Sequence, residues 1–198
     1  MYWEEQHMLL LADVHIGKAA HFRKAGIAVP GGVVQTDLDQ WRTLIDSYSP
    51  KRIMILGDLF HSTANSEWAM FREFLESFPD IQFELIPGNH DKASKVSLEN
   101  LPLKLREEQY RVDPFILSHH PLEKPVSSTY NIAGHIHPSV RLSGPARQRL
   151  RLPCFFFGSQ TGILPAFGIF TGTFDVKPTE ADHVFVIAEG QVICIKQD

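Results

Sequence analysis

Cysteine is scarce in this chain. Its two residues, Cys154 and Cys194, lie 40 positions apart with no CxxC pair, so nothing provides a thiolate zinc site and no disulfide is needed. A reducing cytoplasm is the expected compartment. Long apolar runs are absent as well: Met8 to Ala12 is broken by Asp13 and falls far short of a signal-peptide core or the ~20 residues of a membrane span, so a soluble, unprocessed protein without a membrane partner is expected. Nor is there an excess of basic charge. Nineteen Lys and Arg against 23 Asp and Glu give a net charge of -4, so any nucleic-acid binding must come from local patches or bound cations. The 13 Gly and 13 Pro follow no G-X-Y period, which excludes collagen and indicates a loop-rich fold. What is present fits one globular domain over 1–198, with no repeat, low-complexity tract or linker, and 43% hydrophobic residues to build its core.

Val34, Leu38, Trp41, Ile45 and Tyr48 recur at helical spacing and predict a helix from about Val33 to Tyr48. Trp68, Phe71, Leu75 and Phe78 predict a second, capped by Asn65 or Ser66 and stopped by Pro79. Around them, Met8 to Ala12, Arg52 to Leu56 and Gln82 to Ile86 read as strands, the alternating order of an open α/β sheet. Beyond Arg106 the helical period disappears. Runs at Phe115 to Leu117, Asn131 to Ala133, Cys154 to Phe157, His183 to Ala188 and Val192 to Ile195 predict a mostly β second half.

Five polar clusters follow these runs: Asp13-Val14-His15, Gly57-Asp58-Leu59-Phe60-His61, Gly88-Asn89-His90-Asp91, Ser118-His119-His120 and Gly134-His135-Ile136-His137. They hold seven of the ten histidines. Residues two apart at an extended strand end point to the same side, so Asp13/His15 and His135/His137 can each aim two donors at one point. His nitrogen mixed with Asp and Asn oxygen, without sulfur, suits Mn, Fe or Zn. Singly, each cluster reads as a turn or a hydrogen-bonded loop histidine. Together they place at least seven ligands at the strand ends where open α/β sheets put their sites.

This ordered set resembles the signature of the calcineurin-like metallophosphoesterases, and Gly57-Asp58-Leu59-Phe60-His61 is similar to the SbcD-type DNA nucleases among them. Leu11 to Lys18 and Leu164 to Gly172 resemble the bacterial ligase-associated DNA damage response endonucleases of the PdeM family. The resemblance implies a four-layer αββα sandwich of two mixed β-sheets. It also implies one metal held by Asp13, His15, Asp58 and His137 and a second by Asp58, Asn89, His119 and His135. The same resemblance implies Asp58 as the bridge, a role that suits a carboxylate with two oxygens for two cations. His90 matches the residue that protonates the leaving alcohol.

Other positions carry alternatives. Asp91 either orients His90 or stabilises its loop, and His61 is either a substrate-side histidine or a hydrogen-bond partner of a ligand. His120 replaces His119 as ligand if its strand runs one residue longer; the family pattern favours His119. Lys18, Arg23 and Lys24, and then Arg141, Arg147, Arg149 and Arg151, contact substrate phosphates or are solvated surface charge. Phe155, Phe156 and Phe157 read as a core strand in preference to base-stacking rings.

The implied activity is a two-metal phosphodiesterase, foremost a Mn-dependent DNA endonuclease of bacterial DNA repair working beside a ligase, a helicase and an exonuclease. Hydrolysis of small or cyclic nucleotides is the alternative. A non-catalytic scaffold is least favoured, since every ligand position is filled. SbcD-type nucleases carry a DNA-capping region and a segment for an ATPase partner; 198 residues leave room for neither, so an open site without a tightly bound ATPase is expected.

Overall fold

The computed structural model describes residues 1–61, 66–93, 98–123, 129–144 and 148–195. Its first sheet contains β1 (Tyr2–Trp3), β2 (Met8–Leu11), β3 (Arg52–Leu56), β4 (Gln82–Ile86) and β5 (Lys104–Leu105), in that spatial order. All neighbours are parallel except β1 and β2. β2 is apolar and buried at all four positions because both faces of this sheet are covered, which is why a parallel strand reads as a continuous apolar run.

Helices α2 (Val33–Tyr48) and α3 (Ser66–Glu76) cover one face. Trp41, Leu38, Ile45, Phe71, Phe74 and Leu75 pack there on Leu9, Leu11, Ile53, Ile55, Phe83 and Leu85. α2 has the bounds its periodicity predicts. Tyr48, at its last position, is 46% exposed and rests on Tyr2 instead of entering the core. α3 ends at Glu76, ahead of Phe78 and Pro79, and the candidate cap Asn65 lies outside the described residues. Two short helices lie at polar clusters: α1 (Lys18–Lys24) begins three residues after His15, and α4 (Asn89–Ala93) contains Asn89, His90 and Asp91.

The other face meets a second, mixed sheet, where Met8, Leu10, Met54, Leu56 and Ile86 pack against Leu117, Ile132 and Leu164. That sheet comprises β6 (Gln109–Val112), β7 (Phe115–Ser118), β8 (Tyr130–Ala133), β9 (Pro138–Ser143), β10 (Arg149–Phe157), β11 (Thr161–Ile163), β12 (Phe174–Asp175), β13 (His183–Ala188) and β14 (Gln191–Ile195). Its order is β12-β9-β10-β11-β8-β7-β6, with β13 joined to β10 and β14. Two mixed sheets face to face, with α2 and α3 on the outer side of the first, form an α/β sandwich of the kind the resemblance implied. Among the described residues every helix falls before residue 101. The outer side of the second sheet carries a core of strand side chains, Val140, Cys154, Val184 and Val186, in agreement with the loss of helical period beyond Arg106. Phe155 and Phe157 pack between the sheets and Phe156 on the outer core, as a core strand requires.

Trp41 anchors the helical layer. It is fully buried, with ring centroids 5.6 Å from Phe74, 5.7 Å from Phe71 and 5.8 Å from Phe167. Its Nε1 has no hydrogen-bond partner, so the residue contributes through packing. Trp41→Ala is expected to cost about 3–5 kcal/mol in urea unfolding, and Trp41→Phe, which removes the unpartnered donor, distinctly less.

Candidate metal centre

All five clusters converge at the carboxyl ends of parallel strands. Asp13 and His15 follow β2, Asp58 and His61 follow β3, and Asn89 to Asp91 follow β4. From the second sheet, His119 and His120 follow β7, and His135 and His137 follow β8. Hydrogen bonds between the sheets set the register of this edge. The His119 ring bonds through Nδ1 to the Leu56 carbonyl at 2.9 Å, and His135 N–H donates to Asp13 Oδ2 at 2.8 Å. Within the first sheet, Asp13 N–H donates to Gly57 O and His15 N–H to Asp58 O.

The backbone is strained at this edge. Eight non-glycine residues have positive φ among the described residues, and five of them are Asp13, His15, Asp58, His135 and His137. A side chain in that region costs about 1–3 kcal/mol and persists only where its surroundings over-determine it. Close approach adds a second constraint. A Cβ on Gly57 would lie 2.2 Å from His119 Nδ1, and one on Gly88 would lie 2.2 Å from Asp58 Oδ1. Glycine immediately before Asp58 and before Asn89 is therefore a packing requirement.

The donor atoms are arranged for cations. With its Nδ1–H on Leu56 O, His119 presents the Nε2 lone pair to Asn89 Oδ1 at 3.0 Å, His135 Nδ1 at 3.2 Å and Asp58 Oδ1 at 3.5 Å. The same logic applies to His137. Its Nδ1–H donates to Gly172 O at 3.1 Å, and its Nε2 faces Asp13 Oδ1 at 3.3 Å, with neither atom hydrogen-bonded. Both ring nitrogens of His15 are buried without partners. Lone pairs facing lone pairs in a buried setting repel unless a cation lies between them, so this donor set fits a pair of divalent ions. Asp13, His15 and His137 form one group of donors within 4.8 Å of one another, and Asp13, Asp58 and His119 form another. Burial, then neighbouring positive charge from Lys18 and other histidines, pushes the His15 pKa down to about 2. Burial lowers His119 to about 4 and also lowers His135. Neutral imidazoles are the form that binds metal.

Around this centre the remaining predicted residues take distinct places. His90 lies beside Asp58, whose Oδ1 accepts the His90 backbone N–H at 2.9 Å, and its ring is 5.2 Å from that of His15. His61 stacks on His90 with centroids 4.7 Å apart. Asp91 accepts backbone N–H bonds from Phe60 and Gly88 at 2.9 Å and from Leu59 at 3.3 Å, so its carboxylate staples two ligand loops together. His120 is exposed, its ring 4.0 Å from that of His135, while His119 is the buried one of the pair. Lys18 is half-buried; burial lowers its pKa and the Asp13 and Asp58 carboxylates oppose the shift. Arg23 donates to Glu67 at 2.7 Å and to Pro30 O at 3.2 Å. Lys24 is exposed, and Arg147 lies outside the described residues.

Sequence reading did not assign the segment from Leu164 to Thr173 a physical task. It is a strap over the first ligand loop: Phe167 N–H donates to Ala12 O, Gly168 N–H to Asp13 O, and Gly172 O orients His137. A Cβ on Gly168 would meet Val14 O at 2.3 Å. The signal in the sequence was a glycine that only a close backbone approach demands.

The edge-of-sheet position, the buried mixed N/O donor set and the flanking histidines define a metal-dependent phosphoesterase, a hydrolase. Residues 7–153 match the calcineurin-like phosphoesterase family, and the chain belongs to it. Its structure is similar to the crystal structure of Pseudomonas putida nuclease MPE, with 32% identity and a TM-score of 0.83 over 98% of this chain and 90% of that one. A further solved structure, of Yfce, a phosphoesterase from E. coli, is 15% identical over 92% of this chain and 88% of that one, with a TM-score of 0.49. No curated protein matches the chain.

The strap is tied to the helical layer by Asp37, whose Oδ1 accepts the Ile169 N–H at 3.0 Å. Burial raises the Asp37 pKa to about 6, against a lowering contribution from that hydrogen bond. Because the folded pKa lies above the ordinary 3.8, the contribution of this carboxyl to stability is fully present below about pH 4 and is lost as pH rises through about 6. Asn keeps the acceptor and removes the charge. Asp37→Asn should therefore raise the thermal midpoint at pH 8 and give no gain at pH 4, a comparison that calorimetry across that range makes directly.

Proposed function

We propose that the protein is a Mn-dependent phosphodiesterase that cuts DNA internally, acting in bacterial DNA repair beside a ligase, a helicase and an exonuclease. The observation that carries the hydrolytic part is the convergence of unpartnered donor atoms from Asp13, His15 and His137 with His90 just outside them. Similarity to a nuclease over nearly the whole chain supports nucleic acid as substrate. The mixture of imidazole nitrogen and carboxylate or amide oxygen favours Mn, with Fe or Zn as alternatives.

In this reading Asp13, His15, Asp58 and His137 hold one ion, and Asp58, Asn89, His119 and His135 hold the other. Bound there, the ions supply an activated water and offset the charge that builds on the phosphoryl oxygens. The Leu56 and Gly172 carbonyls fix the ring orientations of His119 and His137, so the donors are pre-aligned. Lys18 adds positive charge beside the two carboxylates and meets a non-reacting phosphoryl oxygen. His90 delivers a proton to the departing alkoxide. His61, stacked on it, has its pKa lowered to about 4, by burial first and then by His90 and Lys18; it stays neutral and leaves the proton to its neighbour.

A second reading, hydrolysis of small or cyclic nucleotides, draws on the net charge of -4 and on Glu67, which engages Arg23, one of the candidate phosphate contacts. Turnover of plasmid DNA against a cyclic nucleotide at equal enzyme separates the two. For either substrate, His90→Ala should retain both metals and lose roughly 10²–10⁴-fold in rate with poor leaving groups. Nitrophenyl esters, whose phenolate leaves without a proton, should lose far less; an equal loss on both makes His90 a positioning residue.

A further inference from the structure

Arg141 on β9 stands directly opposite Arg151 on β10 in an antiparallel pair. Like charges facing each other across such strands destabilise the pairing, so their coexistence requires a counter-charge. Asp175 provides it. Arg151 Nε and Nη2 lie 2.6 and 2.7 Å from its two oxygens, Arg141 Nε contacts Oδ2, and the Ser139 hydroxyl donates to Oδ1 at 3.0 Å. These contacts, with hydrogen bonding from Arg151 foremost, hold the Asp175 carboxyl below its ordinary range. One carboxylate against two guanidinium groups leaves one positive charge in excess. The Arg141 and Arg151 side chains are 56% and 44% exposed, and the N–H edges turned away from Asp175 remain available to an anion.

The unit is fastened to the metal centre. β12, which carries Asp175, donates Phe174 N–H to the His137 carbonyl and Val176 N–H follows it onto Ser139 O, both at 2.9 Å. Gly172, just upstream, orients the His137 ring. Arg141 follows His137 by four residues, about 13 Å of extended chain, which corresponds to a few nucleotides at the ~3.4 Å axial spacing of phosphates along one duplex strand.

We propose that Arg141 and Arg151, latched by Asp175, form a phosphate clamp that grips the substrate strand a few nucleotides from the scissile bond. This rests on the nucleic-acid reading above and makes the preferred substrate a polynucleotide several units long. It also explains how a chain of net charge -4 holds a polyanion: the excess charge is concentrated in one ordered place beside the metals.

The test compares Arg141→Gln, Arg151→Gln and the double variant with the parent on a single-stranded oligonucleotide, its duplex and bis(nitrophenyl) phosphate. Thermal midpoints and circular dichroism confirm that each variant is folded. Arg141→Met and Arg151→Met, which keep the apolar stem and remove the charge, replace any Gln variant that is not. KM for the oligonucleotides should rise several-fold with kcat little changed, and the salt dependence of kcat/KM should flatten by roughly 0.7 per lost single-strand phosphate contact or 0.9 on duplex. Ester hydrolysis should stay at the parent value. Lys51→Gln, which removes a cation at the opposite end of β3, should leave the salt slope unchanged. A parent that cleaves oligonucleotides while the folded variants match it in KM and slope overturns the clamp alone. A parent that hydrolyses the ester but cleaves no oligonucleotide overturns the nucleic-acid reading and the clamp with it.

Discussion

Electrostatic frustration of lone pairs is the constraint around which this molecule is organised. Asp13, Asp58, Asn89, His119 and His137 aim acceptor atoms at one another across 3.0–3.5 Å. In water such a set would spread apart. Here five of the candidate ligand residues, Asp13, His15, Asp58, His135 and His137, are held in left-handed backbone conformations, at a combined cost comparable to the net stability of an ordinary domain. Two packed cores and the hydrogen bonds between the sheets sustain that arrangement. Divalent cations would convert the repulsion into coordination, so metal binding is linked to the stability of the whole fold.

The second sheet does more than close the core. It delivers three histidines to the centre, and its peripheral segments position them. Gly172 orients His137, Gly168 lies against the Asp13 loop, and β12 joins the His137 carbonyl to the arginine pair. Asp37 ties this strap to α2, so the helical layer, the strap and the candidate metal-binding loops are joined.

The elements that bury a periodic apolar face were legible in the sequence. β2, β3, β4 and α2 appear as read, because covering on one or both faces writes itself into spacing. The ligand clusters were legible for a related reason: polar residues that interrupt apolar strands at regular chain intervals need an explanation, and a shared edge supplies one. α1 and α4 were missed because helices of seven and five residues are too short to show a period. β9 and the first half of β10 were missed because their Arg-rich alternation resembles surface loop. Asp175 and Ser139 are what make that alternation structural, and neither is near Arg151 in the sequence. Pairing that depends on distant residues leaves no local signal. Arg23 is a related case: the sequence left it as a phosphate contact or a surface charge, and its pairing with Glu67, from a different helix, had no local signal.

The central claim is that these donors hold two ions bridged by Asp58. Anomalous diffraction from Mn-loaded crystals tests it most directly. The account predicts two peaks roughly 3.5–4 Å apart, with Asp58 between them, His15 and His137 on one and Asn89, His119 and His135 on the other. A single peak at full loading, or a pair of peaks that Asp58 does not bridge, would contradict it.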